Sequence, residues 1–175
     1  MNALHSLARG RFLELLSDDG WEYARRVNAH TTVGVVALTP DDALLLVEQQ
    51  RRPVGGPVIE LPAGLVGDED VADDSLGAAA ARELLEETGW RPGRCRELMV
   101  GPSSAGLTDE CCHLFLAEDL TQEGAGGGIG SERITVHAIP RSTIASWLLE
   151  QSAAGRLIDF KIYTALWWLE HGQDG

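Results

Sequence analysis

Arg82-Glu83-Leu84-Leu85-Glu86-Glu87-Thr88-Gly89-Trp90, with Leu61-Pro62-Ala63-Gly64 upstream, is the stretch on which the reading of this chain turns. If it is helical, Glu83 and Glu87 stand at i and i+4 on one face and Glu86 lies beside them. Like charges so placed repel, and a cation among them removes the repulsion. Hard divalent cations such as Mg²⁺, with Mn²⁺ as an alternative, favour carboxylate oxygens and complete their shell with water and phosphate. Taken alone, the cluster also fits a solvated helix face on which Arg82 pairs with Glu86. The flanks sharpen the reading. Ala78-Ala79-Ala80-Ala81 favours a helix from about Asp74 to Thr88, Gly89 is a helix stop, and Pro62-Ala63-Gly64 is a tight turn before it.

This combination resembles the signature of the Nudix hydrolases, Gly-x5-Glu-x7-Arg-Glu-U-x-Glu-Glu-x-Gly-U, where U is a bulky apolar residue. Against that pattern Leu65 to Ser75 carries an insertion of about four residues, and the first Glu falls on Asp74. Asp74 is given no metal role. Asp68, Glu69, Asp70, Asp73 and Asp74 read as a solvating segment that complements the helix N-terminus.

The composition bounds the function. The 175 residues suffice for one sizeable core. A net charge of -13 argues against nonspecific binding to nucleic acid or an anionic membrane, so an anionic substrate has to be received by local cations. Cys95, Cys111 and Cys112 show neither a disulfide framework nor zinc spacing, and read as buried, reduced thiols of a cytoplasmic protein. The start lacks a signal pattern, and no run has the length of a membrane span.

The hydropathy pattern is mixed. Arg11–Leu16 and Trp21–Val27 flank Asp19-Gly20, a hairpin signal, and form an expected antiparallel pair. Thr32–Leu38, Ala43–Gln49, Val54–Leu61, Arg96–Val100, His113–Ala117 and Ile134–Ile139 read as strands, and Ser142–Gln151 and Lys161–Leu169 as helices. Periodicity supports an α/β class. The resemblance implies more: an α/β/α sandwich with a mixed sheet, formed by residues 31–175, after an N-terminal β-extension over 1–30. The extension carries Phe12, Leu13, Leu15, Leu16, Trp21 and Tyr23 and is expected to build a homodimer.

Further residues point to the ADP-ribose pyrophosphatase subgroup. Gln49-Gln50-Arg51-Arg52-Pro53, a Gly-containing turn and Glu60-Leu61-Pro62-Ala63-Gly64 resemble its Gln-x-Arg-x-Pro and Glu-x-Pro-Ala-Gly segments. The resemblance implies that Arg51 contacts the diphosphate, that Glu60 lies close to the site and that the Ala63 carbonyl meets a metal. Gly124-Ala125-Gly126-Gly127-Gly128-Ile129-Gly130 reads as a mobile loop. Ile134-Thr135-Val136-His137 resembles the strand after the subgroup's Glu-bearing loop, which places Glu132 at the ligand position, as ligand or general base. His137 is a strand residue. Trp21, in Trp-Glu-x-x-x-Arg, resembles an adenine-stacking tryptophan, with Arg25 or Arg26 nearby. Gly101 to Glu110 resembles a segment whose expected proline, associated with ADP-ribose preference, is Ala105 here.

The expected activity is Mg²⁺-dependent hydrolysis of a nucleoside diphosphate sugar, foremost ADP-ribose to AMP and ribose 5-phosphate. Glu83, Glu87 and Ala63 are expected to hold metal with Glu86 and Glu132, and Arg82 to orient the glutamates. The alternatives are another substrate such as GDP-mannose, or a noncatalytic Nudix-fold sensor, against which the intact Arg82, Glu83, Glu86 and Glu87 argue.

Overall fold

The computed structural model describes residues 4–29, 31–67, 75–130 and 132–172. Three strands come first, β1 (His5–Arg9), β2 (Leu13–Asp18) and β3 (Trp21–Arg26). They are followed by β4 (Thr31–Ala37), β5 (Ala43–Arg51), β6 (Gly56–Glu60), β7 (Ala63–Val66), helix α1 (Leu76–Thr88), β8 (Trp90–Arg91), β9 (Arg94–Pro102), β10 (Cys111–Glu118) and β11 (Thr121–Gln122). The chain continues through β12 (Ile134–Pro140), α2 (Ile144–Ala153), β13 (Leu157–Ile158) and α3 (Phe160–His171).

Two four-stranded sheets, ordered β7-β4-β10-β9 and β12-β5-β6-β13, carry the body of the fold. Within these sheets β10 pairs in parallel with β4 and β13 with β6, and the other described pairs are antiparallel, so both sheets are mixed. Alternation along β4 and β10 explains the layering. Val33, Val35, Ala37, Phe115 and Ala117 turn to one face and pack with Ala79, Ala80 and Leu84 of α1. Val36, Cys112 and Leu114 turn to the other, where they meet Leu44, Leu46 and Ile59 of the second sheet, Ile144 and Leu148 of α2, and Ile162, Ala165 and Leu169 of α3. This is the expected α/β/α arrangement.

Local chemistry sets the ends of α1. Ser75 caps the start, its Oγ accepting from the Ala78 N–H at 3.3 Å. At the other end Gly89 adopts φ +77° and its N–H reaches the Leu85 carbonyl at 2.8 Å. Residues 68–74, including Asp74 and the acidic segment, lie outside the described residues.

Several expectations need correction. The N-terminal pair is a three-stranded sheet, because β1 adds antiparallel to β2. Its β2–β3 turn is the expected two-residue hairpin, with positive φ at both Asp19 and Gly20. The strand expected over 54–61 is shorter: Arg52–Val54 form a 3₁₀ turn, Gly55 is left-handed, and pairing begins at Gly56. Ala63 and Gly64 do not sit in a turn but begin β7, which pairs antiparallel with β4. Cys111 is exposed, while Cys112, one residue on and facing the core, is buried.

The glycine run differs most from its expected mobility. Gly127 and Gly128 donate their N–H groups to the Glu87 and Glu86 carbonyls, at 2.8 and 3.1 Å, and Glu123 and Gly124 both donate to the Gly89 carbonyl. The segment therefore satisfies carbonyls that the end of α1 leaves without helical partners. A side chain at Gly126 would put its Cβ 2.3 Å from the Thr88 carbonyl carbon, in a backbone at φ +67°. Glycine is required here for close approach rather than for freedom. Among the described residues, no helix is long and apolar enough to cross a membrane.

Gly126→Ala is expected to destabilise the fold by roughly 1–3 kcal/mol in urea denaturation. Gly124→Ala, where an added Cβ meets nothing within 4 Å, is expected to unfold like the wild type.

Candidate active site

The C-terminal half of α1 lies against the start of β7, and that contact organises a cleft of about 440 Å³. Glu87 is buried, only 5% exposed, with one carboxylate oxygen accepting the Ala63 N–H at 3.0 Å. Burial pushes the Glu87 carboxyl up to about 8, against the pull of the Ala63 N–H, and the negative charges of Glu83 and Glu132 push it the same way. Glu83, one turn earlier, lies across Gly64, where an added Cβ would sit 1.9 Å from the Glu83 carboxyl carbon. Gly64 is thus the cradle of the Glu83 side chain. Arg82 Nη1 stands 2.9 Å from Glu83 Oε1 and 3.6 Å from Glu86 Oε2, so one guanidinium ties two of the carboxylates.

The remaining walls come from distant parts of the chain. Arg51, at the end of β5, donates from Nε to Glu60 at 2.7 Å. Glu132 lines the cleft from the far side of the glycine run, and its Oε2 accepts the Ile129 N–H at 3.0 Å. Arg26 of β3 pairs with Glu110, and Ser103, Cys112 and Lys161 also face the cleft. Lys161 Nζ is 2.6 Å from Asp159.

Of the expected site residues, Arg51, Glu60, Ala63, Arg82, Glu83, Glu86, Glu87 and Glu132 are brought together around this one cleft. Trp21 is not among its lining residues. It is 63% exposed on β3, with its indole Nε1 donating to the Gly106 carbonyl at 3.3 Å. The same strand instead sends Arg26 into the cleft, while Arg25 pairs with Asp109 at 2.6 Å. These contacts, with the Ala24 N–H to Leu107 carbonyl bond, dock the N-terminal sheet on segment 106–110. His137 is a strand residue, hydrogen-bonded to Glu48 at 3.0 Å and packed beside Trp147.

Sequence reading passed over Lys161, Ser103 and Cys112. Lys161 had one usable signal, since Asp159 two residues earlier is the N-cap of α3. Cys112 is no nucleophile candidate, because burial pushes its thiol up and keeps it protonated.

The donor set fits a hard divalent cation. The side chains of Glu83, Glu86, Glu87 and Glu132 supply oxygen atoms only, the kind of donor that such an ion takes. Among the described residues no three Asp, Glu, His or Cys side chains stand close enough together to hold a metal ion by themselves. An ion that retains waters and takes phosphate oxygens does not need such a set.

Because Glu87 is raised from 4.5 to about 8, the metal-free fold holds a proton there that the unfolded chain has released. Glu87 therefore costs stability progressively as pH rises between those values, and fully above about 8. Glu87→Gln removes that cost. In EDTA the variant is expected to melt several degrees above the wild type at pH 8 and level with it near pH 4.5, as scanning calorimetry can check.

The NUDIX domain family model matches residues 28–151. The chain is 32% identical over 129 residues to the methanol dehydrogenase activator of Bacillus methanolicus, covering 70% of this chain and 68% of that protein. It is 30% identical over 125 residues to the ADP-ribose pyrophosphatase of Bacillus subtilis, covering 68% and 65%. A GDP-mannose pyrophosphatase of Klebsiella pneumoniae matches at 33% over 117 residues, covering 66% and 54%. Among solved structures, an ADP compounds hydrolase superposes with a TM-score of 0.68 at 22% identity, over 83% of this chain and 80% of that one, a likeness of fold. With the Arg82 to Gly89 motif on α1 and a family match over most of its length, this chain belongs to the NUDIX family of hydrolases.

Proposed function

We propose that this chain hydrolyses the diphosphate bond of a nucleoside diphosphate sugar, foremost ADP-ribose, to give AMP and ribose 5-phosphate. The observation that carries the reading is the buried Glu87, facing one cleft with Glu83, Glu86, Glu132 and Arg51. Relatives named as ADP-ribose and GDP-mannose pyrophosphatases support the substrate class, and the latter keep GDP-mannose as the second candidate.

In the reaction water adds to one phosphorus, the bridging P–O bond breaks, and the departing phosphate carries away the electron pair. Glu83, Glu87 and the Ala63 carbonyl would hold Mg²⁺, or Mn²⁺ in its place, with Glu86 and Glu132 alongside. Bound there, the ion supplies charge neutralisation of the diphosphate and activation of water. Arg82 fixes Glu83 and Glu86 through its two ion pairs. Arg51 binds a phosphate oxygen, with Glu60 holding its guanidinium in place. Glu132 accepts the proton of the attacking water or joins the metal ligands. The division into an N-terminal extension (1–30) and a hydrolase domain (31–175) belongs to the same reading, as does a cytoplasmic site of action.

The test is a phosphate-release assay over a panel of nucleotide sugars with Mg²⁺ and a coupled phosphatase. ADP-ribose is expected to give the highest kcat/KM, and Glu83→Gln and Glu132→Gln each to lower kcat by about 10²-fold or more while the melting transition is kept. Near-normal Mg²⁺-dependent turnover in Glu83→Gln would remove the metal assignment.

The N-terminal sheet leaves Leu7, Phe12, Leu13 and Trp21 at least half exposed, and we assign that apolar surface to a homodimer. Trp21 would reach a substrate only in the neighbouring copy's cleft. Sedimentation velocity at micromolar concentration is expected to give a dimer, and a fully active monomer would overturn the assignment.

A further inference from the structure

A second recess opens beside the catalytic cleft. Its cavity volume is about 610 Å³, and Val58, Met99, Leu114, Leu157 and Phe160 give it apolar walls. Ser103, Cys112 and Lys161 line both this groove and the candidate cleft, so the two hollows adjoin along these residues. The Lys161 ammonium stands 2.6 Å from Asp159, at the first turn of α3.

Phe160 is the residue that the fold does not explain. It follows the N-cap Asp159 and is 85% exposed. The packing of α3 is carried by Ile162, Ala165 and Leu169, on its other side. A phenyl ring left in water beside an apolar groove is a surface with an unfilled role.

We propose that this groove receives the nucleobase of the substrate, with Phe160 as the ring against which the base lies and Lys161 beside the adjoining phosphate. The inference rests on the nucleotide-sugar reading above and names the part of the chain that recognises the nucleoside. A nucleoside diphosphate sugar has two polar parts, the diphosphate and the sugar, and one flat part with a π face. The adjoining hollows offer the matching division: charged groups around Glu83, Glu86 and Arg51, and apolar walls around Phe160. With its diphosphate at the carboxylates, such a molecule would extend its nucleoside past Lys161 toward the groove. Base recognition then lies within a single copy of the chain and does not call on Trp21, which faces Gly106 outside the cleft.

Phe160, Tyr163 and Trp167 also form an exposed stripe at i, i+3 and i+7, the pattern that a protein partner would cover. The experiment separates that occupant from the base. AMP and ribose 5-phosphate are titrated separately by calorimetry into metal-free wild type, Phe160→Ala and Thr164→Trp, the last filling the groove from its α3 wall. Both variants are expected to weaken AMP binding about tenfold and to leave ribose 5-phosphate binding unchanged. With the best nucleotide sugar, KM is expected to rise by a larger factor than kcat falls. AMP affinity equal to wild type in both variants overturns the proposal. So does a shift in sedimentation coefficient on Phe160→Ala with AMP affinity intact, or loss of AMP affinity in Trp21→Ala instead. Should the wild type bind AMP through Phe160 and yet cleave no nucleotide sugar, the hydrolysis reading falls and the base site stands. Cleavage with unaltered AMP binding in the variants leaves hydrolysis standing and removes the groove.

Discussion

The contact between the Ala63 N–H and the Glu87 carboxylate joins the first residue of β7 to the last turn of α1, and the candidate site is assembled around it. A carboxylate buried in the second half of a helix is unfavourable in itself. It is tolerated here because a backbone donor meets it and because the cleft leaves an open side where a cation can stand. Gly64, next to that donor, has no side chain, so Glu83 can lie flat across the same strand. A single strand start therefore sets the positions of two carboxylates.

The same economy appears behind the helix. The glycine run crosses the C-terminus of α1 with its N–H groups on the Glu86 and Glu87 carbonyls, and then turns to present Glu132 to the cleft. Glu86 and Glu87 are thus fixed through their backbones by the segment that carries the fourth carboxylate of the group. Across the cleft the cations do not stand alone. Arg26, Arg51, Arg82 and Lys161 are each paired with a carboxylate, and acidic side chains outnumber basic ones around the cleft.

Much of this was legible in the chain. The i, i+3, i+4 pattern of Glu83, Glu86 and Glu87, the alanine run and Gly89 gave α1 to within two residues at its start, because helix periodicity and caps are local signals. The valine-rich β4 and the Asp19-Gly20 turn were equally local. β7, β8, β11 and β13 were not visible, since each is two to four residues long and exists only through its partner strand. The glycine run misled because composition does not distinguish a backbone that must move from one that must pass close to another. Arg26 was placed near the substrate through its neighbour Trp21, while Lys161 and Phe160 could not be joined to the site by reading, because they reach it only through the topology that brings the start of α3 beside the cleft.

The docking of β3 on segment 106–110 gives the N-terminal sheet a second identity. One of its residues, Arg26, forms part of the wall of the candidate cleft, held by Glu110. A substitution at Arg26 would therefore change the wall of the cleft without touching the carboxylates of α1. Such a change leaves the Arg82 to Gly89 motif as it is, and so would escape any comparison confined to that motif.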